Sequence, residues 1–120
     1  MRLLDFALGL AAFLVIGASV SAQDIGGSYE VQGTNFDGSP YGGTAVITIT
    51  SDVTCAIDWT TGSTTSTGIC MRSGEVLAAG YDLGGKIGMI IYRLRKDGSL
   101  DGTWTIAGAD GVGTEVLTPY

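Results

Sequence analysis

Between Gln23 and Tyr120 the chain alternates apolar and polar residues in about eight short runs. Each run is stopped by Gly, Asp-Gly or Gly-Ser, and none carries helical periodicity. Short connections place sequence neighbours side by side and antiparallel. A flat meander would leave two open edges and an uncovered apolar face, whereas closure removes the edges. The expected fold is therefore all-β: a small antiparallel up-and-down β-barrel of about eight strands, with a two-sheet β-sandwich as the alternative. Glycines inside the runs (Gly33, Gly68, Gly80, Gly88, Gly102) favour the barrel, because they relieve crowding where strands bend sharply.

The runs are Ser28–Thr34, Thr44–Thr50, Val53–Thr60, Thr64–Arg72, Glu75–Tyr81, Lys86–Arg95, Leu100–Ala107 and Val112–Thr118. Asn35 to Pro40 is turn chemistry, with Gly38 available for positive φ. Asp37-Gly38-Ser39 and Asp97-Gly98-Ser99 precede similar runs, Gly43-Thr44-Ala45 and Gly102-Thr103-Trp104, which reads as repeated turn grammar rather than duplicated domains.

Residues 1–22 stand apart. Arg2 precedes an apolar stretch over residues 6–18, and Val20-Ser21-Ala22 supplies small residues for cleavage after Ala22. This is the pattern of a secretory signal peptide. The stretch falls short of the ~20 residues that a spanning helix needs. The expected organisation is a signal peptide at 1–22 and a single barrel domain at 23–120. The protein is expected to be exported, to the periplasm or the extracellular space, with no membrane attachment after cleavage.

Export bears on the cysteines, because disulfides persist in oxidising compartments. A two-residue turn at Gly62-Ser63 pairs Thr61 with Thr64. Counting outward, Trp59 opposes Ser66, Ile57 opposes Gly68, and Cys55 opposes Cys70. Directly opposed residues lie ~4.5–5.5 Å apart, within the ~4.4–6.8 Å range of disulfides. A Cys55–Cys70 disulfide is expected, stabilising the fold by about 2–3 kcal/mol.

The net charge is −6 and histidine is absent. An acidic surface argues against binding nucleic acid or anionic membranes. The lack of histidine removes Ser-His-Asp and Cys-His catalysis and His-containing metal sites. No pair of carboxylates converges in the pattern, so no catalytic residue, metal site or cofactor is assigned. Asp97 to Gly102 opens like a calcium loop but carries Gly108 where the bidentate glutamate belongs. The protein is expected to bind rather than catalyse.

Two candidate surfaces follow. The inward set is Tyr29, Val31, Ile47, Ile57, Trp59, Ile90, Tyr92, Leu94, Trp104 and Ile106. It is expected to fill the interior. If a pocket exists, Trp59, Trp104, Tyr29 and Tyr92 are its candidates, since Trp at a barrel mouth stacks on ligands. The outward face of the longest run carries Ile87, Met89, Ile91, Arg93 and Arg95, followed by Lys96. That stripe is the candidate protein contact.

Val31 to Thr44, Gly68-Ile69-Cys70, Tyr92 to Gly98, and Gly102 to Gly108 with Gly113-Thr114-Glu115 together resemble a group of short exported bacterial proteins. These come mostly from alphaproteobacteria and are often labelled fibronectin-binding proteins. The resemblance spans nearly all of residues 23–120. It implies an adhesin-like role with an extracellular partner such as fibronectin, and no enzyme. In architecture the chain is also similar to lipocalins, avidins and small periplasmic protease inhibitors. A small-molecule barrel and a protease inhibitor are therefore the alternatives to protein binding.

Overall fold

The computed structural model describes residues 24–120, so the signal-peptide expectation for residues 1–22 lies outside the described residues. Eight strands follow in chain order: β1 (Gly27–Thr34), β2 (Pro40–Ile49), β3 (Thr54–Thr61), β4 (Thr64–Ser73), β5 (Val76–Leu83), β6 (Lys86–Leu94), β7 (Leu100–Ile106) and β8 (Gly113–Pro119). Each pairs antiparallel with the next, and β1 also pairs with β8, so the sheet closes into an up-and-down barrel. Closure rests on a full ladder, from Tyr29 opposite Pro119 to Thr34 opposite Thr114. A sandwich would leave that ladder unmade.

Sequence alternation becomes inside and outside. On β6, Gly88, Ile90, Tyr92 and Leu94 are buried while Ile87, Met89, Ile91 and Arg93 are exposed. Val31, Ile57, Leu77, Tyr92, Leu100 and Leu117 are the largest side chains shielded from solvent. Burying such side chains is the dominant favourable term for a domain of this size.

The cysteines meet as the turn register requires. Gly62, at φ 64°, takes the left-handed first corner of the two-residue turn. Thr61 then opposes Thr64, Trp59 opposes Ser66, Ile57 opposes Gly68, and Cys55 opposes Cys70. The disulfide joins the cysteines across Cα atoms 4.9 Å apart.

The two Asp-Gly-Ser turns are built alike. Ser39 N–H and its hydroxyl donate to Asp37 Oδ1 at 3.0 and 2.7 Å. Ser99 does the same to Asp97 Oδ1 at 2.9 and 2.6 Å. These bonds hold both carboxyls below the usual aspartate range. The repeated tripeptide is therefore local hairpin chemistry.

The largest departure from the expected boundaries is at the start of the second strand. β2 begins at Pro40, not Thr44, and runs through Gly42 and Gly43. Proline is tolerated at the first position of a strand. Gly43 is needed for spacing: a Cβ there would run into the Thr60 carbonyl and stand 2.8 Å from Thr61 Cα. Gly43, which resembles a break, allows β3 to come close.

Candidate functional site

The barrel has two ends. The β1–β2, β3–β4, β5–β6 and β7–β8 connections gather at one, which we call the mouth. The base carries the start of β1 and Tyr120. In the lower half Tyr29, Val31, Leu77, Leu100 and Leu117 fill the interior. At the mouth it opens into a cavity of about 260 Å³. The expectation of a filled interior thus holds for the lower half and fails at the mouth. An open depression of about 700 Å³ at the base is lined partly by Asp24, Ile25 and the β2–β3 connection.

Tyr41 on β2, Trp59 on β3, Tyr81 on β5 and Trp104 on β7 frame the mouth cavity, with Ile90 on β6 and Glu115 on β8. The rings are placed by the residues opposite them. Tyr41 opposes Gly33, Tyr81 opposes Gly88, and Trp104 opposes Gly113. Just below, Tyr92 opposes Gly102. A Cβ on any of these four glycines would collide with its partner's ring. Each ring therefore lies across the bare backbone of an adjacent strand, a way of covering glycines in curved sheets. Trp59 sits between Ala45 and Ser66, which are also small.

Glu115 lies at the centre. It is 5% exposed and is the buried charged side chain among the described residues. Trp59 Nε1–H donates to Oε2 at 2.9 Å, and the Tyr92 hydroxyl donates to the same oxygen. Tyr41 O–H donates to Oε1 at 2.7 Å. Burying a carboxylate is costly unless its oxygens are satisfied, and three donors from three strands do so here. The arrangement also acts on the phenols. Burial first, and then the charge of Glu115, holds Tyr92 well above the usual tyrosine range. The same two causes raise Tyr41 and push Tyr81 up to about 12.

The rim is aromatic too. Phe36 packs on Trp104 with ring centroids 4.7 Å apart, and Tyr41 meets Trp104 edge-on at 6.1 Å. Trp59 and Tyr81 meet edge-on at 5.3 Å. Tyr81 O–H donates to the Thr105 carbonyl at 2.9 Å, and Trp104 Nε1–H to the Thr114 carbonyl at 3.2 Å. The rings thus have fixed orientations around open space.

Of the expected pocket residues, Trp59 and Trp104 line the cavity, and Tyr92 supports it through Glu115. Tyr29 does not join them. It is buried toward the base, and its hydroxyl donates to the Ile25 carbonyl at 2.6 Å. Sequence reasoning missed Glu115, Tyr41 and Tyr81. For Tyr41 a signal was present: extending the second run back to Pro40 places it on the inward parity of Ala45 and Ile47.

On the outside, Ile87, Met89 and Ile91 are 69%, 58% and 55% exposed. β4 adds Ile69 and Met71, giving the cross-strand rows Ile69–Gly80–Met89 and Met71–Ala78–Ile91. Arg93, Arg95 and Lys96 are exposed at the lower end, and Arg95 Nη2 pairs with Asp101 Oδ2 at 2.8 Å.

No family model matches the chain, and no curated protein does. Solved structures do. A redesigned β-barrel superposes with a TM-score of 0.71 at 17% identity, covering 83% of this chain and 95% of its own. The redesigned barrel mFAP1, bound to DFHBI, gives 0.69 at 21% identity, covering 82% and 97%. A mutant of the fluorescent protein UnaG gives 0.51 at 13% identity, covering 78% and 94%. At such identities the likeness is one of fold.

Proposed function

We propose that the protein is an exported, non-catalytic binding protein that takes a small organic molecule into the barrel mouth. The observation that carries this reading is the cavity of about 260 Å³ framed by Tyr41, Trp59, Tyr81 and Trp104 over a buried carboxylate. Ligand sites are concave and mostly apolar, with a few placed polar groups. The volume lies just under the ~300–1,000 Å³ of sites for drug-sized ligands, so the ligand is small. That mFAP1 was solved with DFHBI bound supports the same use of this architecture. The disulfide is compatible with an oxidising, exported setting.

Both tryptophans border the cavity, so occupancy is expected to change their emission. Titration with small aromatic probes such as phenethylamine and phenylethanol is expected to give a saturable change in Trp fluorescence. Trp104→Ala is expected to weaken binding about tenfold, the upper range for one aromatic contact. Probes that leave the emission unchanged up to millimolar concentration would remove this reading.

The exposed rows Ile69–Gly80–Met89 and Met71–Ala78–Ile91 favour a second reading, contact with a protein such as fibronectin. Apolar patches of this kind mark interaction surfaces. Met89→Glu is expected to abolish saturable binding to immobilised fibronectin, and charge reversal at Arg93 and Arg95 to weaken it. Equal binding by an unrelated acidic barrel would reject the partner.

A further inference from the structure

Resting on the small-molecule reading above, we propose that the mouth cavity selects a small organic cation, a protonated amine on an aromatic or apolar body. Three observations converge. First, Glu115 places a buried carboxylate on the cavity wall, and no lysine or arginine is among the residues lining that cavity. Its hydrogen-bond partners Trp59, Tyr41 and Tyr92 are neutral donors. They satisfy oxygens without cancelling charge, and a buried charge gains most from an opposite one.

Second, the acceptor count leaves a place for the ligand. A carboxylate offers about four acceptor directions. Oε2 takes Trp59 and Tyr92, while Oε1 takes Tyr41. One direction on Oε1 is unclaimed by these bonds, and an ammonium N–H suits it. Third, Trp59, Tyr81 and Trp104 are among the other residues of the cavity wall. Indole and phenol faces attract cations, more strongly when water is excluded. A net charge of −6 adds long-range attraction.

The same features exclude an opposite class. An alkyl or aryl carboxylate entering this cavity would meet Glu115 without a cation between them, and like charges a few ångströms apart in a low dielectric repel strongly. A neutral ligand would find the rings but would not answer the charge.

The test is a calorimetric titration of the purified protein with three probes of similar shape: phenethylamine, phenylethanol and phenylpropionate. The amine is expected to bind at least about tenfold more tightly than the alcohol, as a charge-assisted hydrogen bond should give. The acid is expected to bind more weakly still. Glu115→Gln is expected to erase the amine's advantage over the alcohol. Should Glu115→Gln fail to fold, the ranking on the unsubstituted protein decides alone. Equal binding of amine and alcohol, or tighter binding of the acid, overturns the cation proposal but leaves the small-molecule reading standing. No binding by any probe, with unchanged Trp emission, overturns both.

Discussion

Gly43→Ala is expected to destabilise the barrel by about 3 kcal/mol or more, at the top of the usual range for overpacking. In a domain of this size that lowers the thermal midpoint by on the order of 10–20 °C. The cause is spatial. The added methyl would meet the Thr60 carbonyl and stand 2.8 Å from Thr61 Cα, both backbone atoms of β3. No rotamer change relieves that contact, so β2 and β3 must separate. Gly102→Ala is expected to cost about 2–3 kcal/mol. Its methyl would stand 2.6 Å from Tyr92 Cδ1, on a ring that Glu115 and Trp59 hold in place. Gly80→Ala is the control. A Cβ there meets nothing nearer than the Gly88 carbonyl at 4.0 Å, so the change is expected to be neutral or to stabilise slightly by restricting the unfolded chain. Urea unfolding of the three variants checks the order. Gly43→Ala within 1 kcal/mol of Gly80→Ala would mean that the β2–β3 spacing does not depend on glycine.

The glycines also show how far the sequence could be read. Alternation placed Ile57, Trp59, Ile90 and Tyr92 inside correctly, because Asp58 marks the outward parity of one run and Arg93 and Arg95 mark that of the other. The disulfide followed from a two-residue turn, which leaves one register. Glu115 was not legible for the opposite reason. Residues 107–112 form a connection too long to fix the register of β8. β8 also carries Val116 and Leu117 on opposite faces, so its alternation has no sign. The pairing Trp104–Gly113 fixes that sign and turns Glu115 inward. Half-filling of the interior was hidden as well. It depends on rings lying over glycines of neighbouring strands, a relation between residues as far apart as Gly33 and Tyr41 or Tyr92 and Gly102.

Raising the pH is expected to unfold the protein cooperatively between about pH 10 and 12. An unfolded tyrosine loses its proton near pH ~10. In the barrel, burial and the charge of Glu115 hold Tyr92 well above that value, raise Tyr41, and push Tyr81 up to about 12. Above pH ~10 the unfolded chain therefore binds fewer protons than the folded one, and stability must fall as pH rises. The stabilisation is complete below pH ~10 and is lost progressively above it. Fully buried Tyr92 contributes a slope of up to about 1.4 kcal/mol per pH unit. Half-buried Tyr41 and Tyr81 add smaller amounts, since solvent screens them. Against a stability of roughly 5–15 kcal/mol, two pH units of this slope are a substantial loss. The tyrosinate absorbance of these residues should rise together with the loss of the β-sheet circular dichroism signal. Titration of all tyrosines near pH 10 with the sheet intact would refute the buried network. Tyr92→Phe separates linkage from packing: it lowers stability at neutral pH by removing a donor to Glu115. It should nevertheless flatten the alkaline slope by up to about 1.4 kcal/mol per pH unit. A variant that merely loosened the core would keep the original slope.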